Sequence, residues 1–354
     1  ESLASLVGSE MCIRDRVLCI QRIMNKKICF FCVGTGGHVL PVKNLVMKLL
    51  DFGVKPDDII VVTDDRGKQY LKNLDINLNT IQIFVSNYGV IGYVLNLIKI
   101  IRTLFNVIKL LKNKNIGVVL TTGAYIAPIA SIISVLYRAK FYIQEQNIYA
   151  GLGNKVSALF ADKVFTSFEG TQNIKYKKID YTGPIVNTTL NRSDIQRSQN
   201  QTIGFMGGSQ GSDEINTYVN KFVKSDDNLD LNIIHITGKN KDNLIIESQN
   251  YQSIEFVNNM DDFYKEIDVL VGRAGGGSLE AAYLGIPQVL VPYKHGTTSS
   301  HQEFNAQYLE KKNFGFVAKN YDDLENFIKE TIFKLKNNKF CLLYTSDAAD
   351  EACC

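Results

Sequence analysis

Twice in this chain a short apolar run ends on a cluster of glycines and is followed by apolar residues at helical spacing. In the first instance Ile28–Val33 runs into GTGGH (Gly34–His38). Pro41 then stands where a first helical residue is expected, and Val42, Leu45, Val46, Leu49 and Leu50 recur at i, i+3, i+4, i+7 and i+8. In the second, Ile203–Met206 runs into GGSQG (Gly207–Gly211), and Ile215, Val219, Phe222 and Val223 share one helix face. Glycine at such turns lets backbone N–H groups approach an anion at the positive end of a helix. Two crevices of this kind facing each other would clamp one diphosphate between two domains.

Strand-like and helix-like segments alternate throughout, which predicts parallel sheets of α/β type. Strands are expected at Ile28–Val33, Ile59–Thr63, Ile116–Thr121, Lys140–Gln144 and Lys163–Phe165. A second set is expected at Ile203–Met206, Asn232–Thr237, Ile254–Val257, Val269–Gly272 and Gln288–Val291. Between the sets, Asn187–Gln201 is polar without apolar periodicity and reads as a linker. The ends read as foreign. Glu10–Asp15 and Cys341–Ser346 can be encoded by reverse-complementary strings, as a translated sequencing adaptor would be, so residues 1–23 and 341–354 are set aside. The natural start is then Met24, with the gene cut near Phe340. The domains expected are 24–186 and 202–340, each large enough to bury its own core.

Charge and cysteine usage narrow the function classes. Between Met24 and Phe340 there are 36 basic and 30 acidic residues. That is too weak a bias for a dedicated nucleic-acid binder, but suited to an anionic substrate or a membrane surface. Within those bounds the only cysteines are Cys29 and Cys32. Three apart on a strand they point to opposite faces, so buried core is expected rather than a redox or metal pair, and a reducing cytoplasm fits. No signal peptide and no membrane-spanning run is apparent.

Nucleotide motifs can be tested in turn. The dinucleotide fingerprint G-x-G-x-x-G needs a small residue where Val39 stands. A Walker loop needs G-K-[ST], which neither Gly67-Lys68-Gln69 nor Gly238-Lys239-Asn240 supplies. His38, His235, His295 and His301 are scattered, and no Asp-x-Asp follows a strand, so no metal and no cofactor is expected.

Four further stretches follow the opening loop: QEQNIYAGLGNKVSALFADKVFTSFEG (Gln144–Gly170), GFMGGSQGSDEIN (Gly204–Asn216), EFVNNM (Glu255–Met260), and RAGGGSLEAAYLGIPQVLVPY with HQEFNA, within Arg273–Ala306. In this order they resemble the MurG family of N-acetylglucosaminyltransferases of bacterial peptidoglycan synthesis. The resemblance implies a GT-B fold, two Rossmann-like parallel-sheet domains facing across a cleft. It implies inverting transfer of N-acetylglucosamine from UDP-N-acetylglucosamine to a lipid-linked muramyl-peptide, undecaprenyl-pyrophosphoryl-MurNAc-pentapeptide, at the cytoplasmic face of the plasma membrane. Two alternatives stay open: a related GT-B transferase with another UDP-sugar or lipid acceptor, and an inactive nucleotide-sugar-binding partner subunit.

Inverting transfer needs a base near the acceptor hydroxyl and positive potential near the departing phosphate. His38, at the tip of the first glycine loop, has an imidazole whose ordinary pKa of ~6.5 suits that role; equally, it could shape the loop. Glu145, after a strand expected to be buried, is the competing base or a structural hydrogen-bond acceptor. The resemblance implies donor contacts from Thr35, Gly36, Asn147, Ser209, Gln210, Val257, Ser278, Glu280 and Gln302, with Glu280 on the ribose hydroxyls. It implies acceptor contacts from Gly37, Tyr125 and Asn154. The chain departs from the family pattern in four places. The Arg273–Glu280 loop is one residue short, Thr182–Asn187 lacks a residue and has Asn187 where arginine is common, Gln144 replaces histidine, and Ala124 replaces glycine.

One segment suggests a location. Val94–Lys112 reads as a helix with a narrow polar stripe (Asn96, Lys99, Arg102, Thr103, Asn106 and Lys109), and Ser86–Thr121 contains no acidic residue. The helix and the loop before it, Asn87–Tyr93, could lie on an anionic membrane surface. The alternative is a buried helix with snorkelling lysines.

Overall fold

In a computed structural model of the protein, the described residues are 26–82, 89–175, 179–186, 188–195, 201–225, 231–238, 249–293 and 299–337; side chains of 89–97 and 299–300 lie outside the description. The chain forms two units. Unit 1 comprises residues up to Gln146 plus Ala150–Ile185, and unit 2 comprises Asn147–Tyr149 plus Val186 onward.

Unit 1 is built on seven parallel strands in the order β3-β2-β1-β4-β5-β6-β7. They are β1 (Lys27–Phe31), β2 (Ile59–Thr63), β3 (Asn77–Thr80), β4 (Ile116–Thr121), β5 (Lys140–Glu145), β6 (Lys163–Thr166) and β7 (Ile179–Tyr181). Helices α1 (Gly36–Asp51), α2 (Asp65–Leu71), α3 (Gly89–Leu111), α4 (Ala127–Leu136) and α5 (Leu152–Ser157) connect them. Central strands of a parallel sheet are covered on both faces, and β2 is accordingly buried at all five positions. Cys29 packs in the core on one side, with Ile60 and Val62, and Cys32 in the core on the other, with Phe30 and Val61. Burial pushes both thiols well above the ordinary range, as the strand periodicity leads one to expect of core cysteines.

Unit 2 carries six parallel strands in the order β10-β9-β8-β11-β12-β13. They are β8 (Thr202–Met206), β9 (Asn232–Ile236), β10 (Tyr251–Ile254), β11 (Val269–Gly272), β12 (Gln288–Leu290) and β13 (Gly315–Val317). The helices are α6 (Asp213–Val223), α7 (Met260–Glu266), α8 (Gly276–Tyr283), α9 (Ser299–Lys311) and α10 (Tyr321–Lys336). Phe205, Val219 and Phe222 pack with Leu324 and Ile328 of α10 on one face of the sheet. On the other face Met206 and Leu270 pack with Tyr264, Ala281 and Leu284. Each such large apolar side chain contributes about 1.5–3 kcal/mol by leaving water.

Several expectations are corrected. Strands β3, β7 and β13 carry no expected run, and the strand expected at Ile254–Val257 lies at Tyr251–Ile254, leaving Val257 beyond its end. These four strands are the sheet edges. An edge strand is short and incompletely covered, so its sequence, such as NLNT in β3, lacks the apolar signal. Pro41 is the sixth residue of α1 rather than its first, because the helix starts at Gly36. His38 therefore lies in the first turn, at the positive end of the helix. Helix α3 starts at Gly89, so Gly89–Tyr93 are helical rather than loop, while residues 87 and 88 lie outside the described residues. Thr103, placed in the polar stripe, is buried. In the segment read as a linker, Leu190 packs in the core of unit 2, and Thr189 donates to Asp261 from both N (2.9 Å) and Oγ1 (2.7 Å).

Candidate functional site

In an open parallel sheet, ligands bind beyond the carboxyl ends of the strands where the strand order reverses. That point falls between β1 and β4 in unit 1 and between β8 and β11 in unit 2. The glycine loops lie at these places.

In unit 1 the β1 loop reaches α1 through Thr35, whose side chain does not cap the helix; its carbonyl accepts His38 N at 3.2 Å. His38 is half-buried and tied twice to the loop after β4. Its Nδ1 is 2.8 Å from Thr122 O, and Thr122 Oγ1 donates to His38 O at 2.7 Å. A carbonyl only accepts, so Nδ1 bears the proton and Nε2 is the acceptor nitrogen of the neutral ring. Gly36 is buried, whereas a Cβ on Gly37 would meet nothing within 4 Å. Neither backbone angle nor packing demands glycine at position 37, and a closely approaching ligand would.

Glu145 ends β5 and is buried. Its Oε1 accepts from Gln146 N at 2.8 Å, and its Oε2 accepts from Gly151 N at 3.2 Å and from Asn154 Nδ2 at 2.9 Å. These three bonds tie the loop that follows β5 to the strand end. Asn154 is buried against Gly123, whose φ of +105° and close approach (2.8 Å from a Cβ to Asn154 Nδ2) both require glycine. Thr122, Gly123 and Asn154 thus form a continuous path from His38 to Glu145.

Tyr125 joins the same loops through a residue that sequence reasoning missed. Its hydroxyl donates to Asp64 Oδ2 at 3.1 Å, while Asp64 Oδ1 accepts from Gly34 N (3.0 Å) and Gly67 N (2.9 Å). Arg66 closes the group with Nε and Nη2 at 3.2 and 3.1 Å from Asp64 Oδ2. Burial raises the Asp64 carboxyl, but the bonds from Gly34, Gly67 and Arg66 outweigh it and hold the group below its ordinary range. Burial and the Asp64 charge push Tyr125 up to about 12. The available signal was position: Asp64 directly follows a buried strand at its carboxyl end.

In unit 2, Ser209 and Gln210 lie in the β8 loop, and Ser212 caps α6 by accepting Ile215 N at 3.3 Å. Arg273, also missed, is buried at the end of β11. It donates to Ser212 Oγ (2.6 Å), Glu214 Oε2 (2.9 Å) and Val291 O (2.9 Å), locking together three loops at the switch point. Helix α8 begins at Gly276, and Cβ atoms on Gly275 or Gly276 would meet nothing within 4 Å. This is an open helix start of the kind that receives phosphate. Ser278 is buried and turns inward, its Oγ donating to Gly275 O at 2.7 Å. Glu280, one turn into α8, accepts from Tyr264 OH at 2.8 Å. Gln302 Oε1 accepts Tyr293 N at 3.0 Å. Asn305, unnoticed in the sequence, gathers Asn147 into unit 2: its Nδ2 lies 3.1 Å from Asn147 Oδ1 and 3.3 Å from Ala274 O, and its Oδ1 accepts Ile148 N at 3.0 Å. Val257 is half-buried in the loop between β10 and α7. Asn187 and His295 lie outside the described residues.

Comparison with known proteins follows this division. The glycosyltransferase family 28 N-terminal domain matches residues 28–166, and the family's C-terminal domain matches 202–352, running past Phe340 into the stretch set aside as foreign. The chain is 31% identical over 304 residues to a UDP-N-acetylglucosamine–N-acetylmuramyl-(pentapeptide) pyrophosphoryl-undecaprenol N-acetylglucosamine transferase of Thermosipho melanesiensis, covering 83% of this chain and 87% of that protein. It is 30% identical over 345 residues to the enzyme of the same name from Rickettsia felis, covering 91% and 94%. Among solved structures, Acinetobacter baumannii MurG superposes with a TM-score of 0.67 at 23% identity, covering 87% of this chain and 91% of that one, which is a likeness of fold.

Proposed function

The chain belongs to glycosyltransferase family 28, and we propose that it moves N-acetylglucosamine from UDP-N-acetylglucosamine to the lipid-linked N-acetylmuramyl-pentapeptide precursor of peptidoglycan, inverting the sugar's anomeric centre. The observation that carries the mechanism is the Nδ1 contact of His38 with Thr122 O. It orients the ring and leaves Nε2 to take the proton of the acceptor hydroxyl as that oxygen bonds to the anomeric carbon. The bond from that carbon to UDP breaks in the same displacement, and the departing diphosphate carries the electron pair. Positive potential for it comes from the start of α8 at Gly275–Gly276.

Of the two candidate bases His38 is favoured. Glu145 is buried and already braces the loop that carries Asn147 and Asn154, so its part is to position that loop. Tyr125, Gly37 and Asn154 hold the acceptor, with Asp64 fixing Tyr125 and Gly34. Thr35, Gly36, Asn147, Ser209, Gln210, Val257, Ser278, Glu280 and Gln302 hold the donor, Glu280 through the ribose diol and Ser278 by shaping the phosphate loop. Incubation with labelled UDP-N-acetylglucosamine and a short-chain analogue of the muramyl lipid, with UDP-glucose as competitor, tests the reading. Transfer of label to the analogue, undiminished by UDP-glucose, is the expected result; absence of transfer, or transfer from UDP-glucose instead, overturns it.

The acceptor is lipid-linked, and unit 1 has features suited to a membrane surface. Among the described helices none is long and apolar enough to cross a membrane. On α3, Thr103, Val107 and Leu111 are buried while Ile98, Ile101 and Phe105 are exposed beside Arg102 and Lys109. Neighbouring α4 exposes Val135 and Leu136, and α5 with the turn after it exposes Leu152 and Leu159. Exposed apolar side chains on adjacent helices, rimmed by basic residues, fit a monotopic contact with an anionic bilayer. The reading places the protein at the cytoplasmic leaflet.

A further inference from the structure

The donor half of the site contains a buried phenol with no assigned role. Tyr264, on α7, is fully buried beneath the loop that opens α8. Its hydroxyl lies 2.8 Å from Glu280 Oε2 and 3.3 Å from Gly277 O. A phenol has one proton to donate, and the shorter contact to a charged acceptor takes it. Burial, and then the Glu280 charge, raise the phenol well above its ordinary range, so it remains a donor at any pH the protein meets. The surroundings hold the ring in place. Tyr264 sits in the core with Met206, Leu270 and Leu284, and a Cβ on Gly277 would fall 2.1 Å from Met206 Cε and 3.3 Å from Tyr264 Oη. The first turn of α8 therefore lies close against Met206 and the ring.

We propose that Tyr264 is a positioning residue for nucleotide recognition: its hydroxyl sets the orientation of the Glu280 carboxylate toward the ribose diol. The proposal rests on the reading of Glu280 as the ribose ligand. A carboxylate on a three-bond side chain at a helix surface samples several rotamers, and a vicinal diol is gripped well only when both carboxylate oxygens present to it together. A donor fixed in the core removes that freedom before the nucleotide arrives. It also gives Glu280 a partner that solvent cannot replace.

The test compares UDP with 2′,3′-dideoxy-UDP, which lacks both ribose hydroxyls, by calorimetric titration of the full chain. For Tyr264→Phe, which keeps the ring and its packing, UDP affinity is expected to fall roughly 5- to 50-fold while dideoxy-UDP affinity changes less than about twofold. For Glu280→Ala the same selective pattern is expected. The double variant should lose no more than Glu280→Ala alone, because the phenol acts through the carboxylate. Equal losses on both nucleotides in Tyr264→Phe mark a merely structural role and overturn the proposal, as does unaltered UDP binding. If Glu280→Ala weakens both nucleotides equally, the ribose reading itself fails and takes the proposal with it. If Glu280→Ala is selective and Tyr264→Phe is not, only the proposal falls. The comparison of the two nucleotides on Tyr264→Phe holds even if that change lowers stability, since both titrations use the same variant.

Discussion

Single side chains carry the sharpest consequences. His38 is held by Thr122 and Glu145 by its own loop, so the two candidates should separate kinetically. His38→Ala is expected to cut turnover at saturating substrates by ~10²–10⁴-fold. Glu145→Gln, which cannot accept the same set of bonds, should act through loop order on the Michaelis constants for both substrates. A larger turnover loss in Glu145→Gln than in His38→Ala would exchange the roles. His235 makes a different prediction, about stability. Its Nε2 is 3.0 Å from Asn216 Oδ1 and its Nδ1 2.9 Å from Tyr251 OH, in the interior of unit 2. Asn216 Oδ1 only accepts, so Nε2 bears the proton of the neutral ring, and burial lowers the pKa to about 4. Below pH ~6.5 the unfolded chain binds a proton that the folded chain refuses, so stability falls as pH drops from ~6.5 to ~4, by up to roughly 3 kcal/mol. Urea midpoints measured at pH 7 and pH 5 should converge in His235→Gln relative to the unmodified protein; an unchanged difference would mean other groups set the acid limit.

At the scale of elements, the prediction concerns α3 with its neighbours α4 and α5. Basic residues near an anionic bilayer contribute ~1 kcal/mol each, a term that salt screens, while buried apolar side chains contribute one that salt does not. Co-sedimentation with vesicles containing anionic lipid should therefore weaken at high salt and when Lys99, Arg102 and Lys109 become glutamine. It should be abolished when Ile101 and Phe105 become serine. Binding indifferent to both sets would remove α3 as the contact. Elements also show where sequence reading stops. The strands named from the sequence are those with a neighbour on each side, β1, β2, β4, β5, β6, β8, β9, β11 and β12, whereas β3, β7, β10 and β13 at the edges were absent or displaced. An edge strand is specified by its neighbour's unpaired backbone groups, which leave no mark on its own side chains.

The whole molecule comprises two units with separate cores, and ligand binding should stabilise them unequally. Saturating UDP, at about 100 times its dissociation constant, adds ~2.7 kcal/mol to whatever unit binds it. Hydrogen exchange with UDP present should slow in β8, β11 and α8 and leave β1, β2 and β4 unchanged. Slowing confined to unit 1 would reverse the assignment of donor and acceptor halves.

The sequence by itself determined the α/β class, the two-part organisation and both glycine loops, because each is written in local periodicity or in residues a few positions apart; it offered His38 and Glu145 as candidates by their place after expected strands, and Glu280 by resemblance to the family. Tertiary structure alone decided what those residues do for one another. The carbonyl that sets the tautomer of His38 lies 84 positions away, Asp64 joins loops from β1, β2 and β4, Asn305 draws Asn147 into unit 2, and Tyr264 reaches Glu280 from the preceding helix. A parallel sheet brings the carboxyl ends of strands distant in sequence to one edge. The partners that orient a reactive group are chosen there by strand order, and strand order is not a local property of the chain.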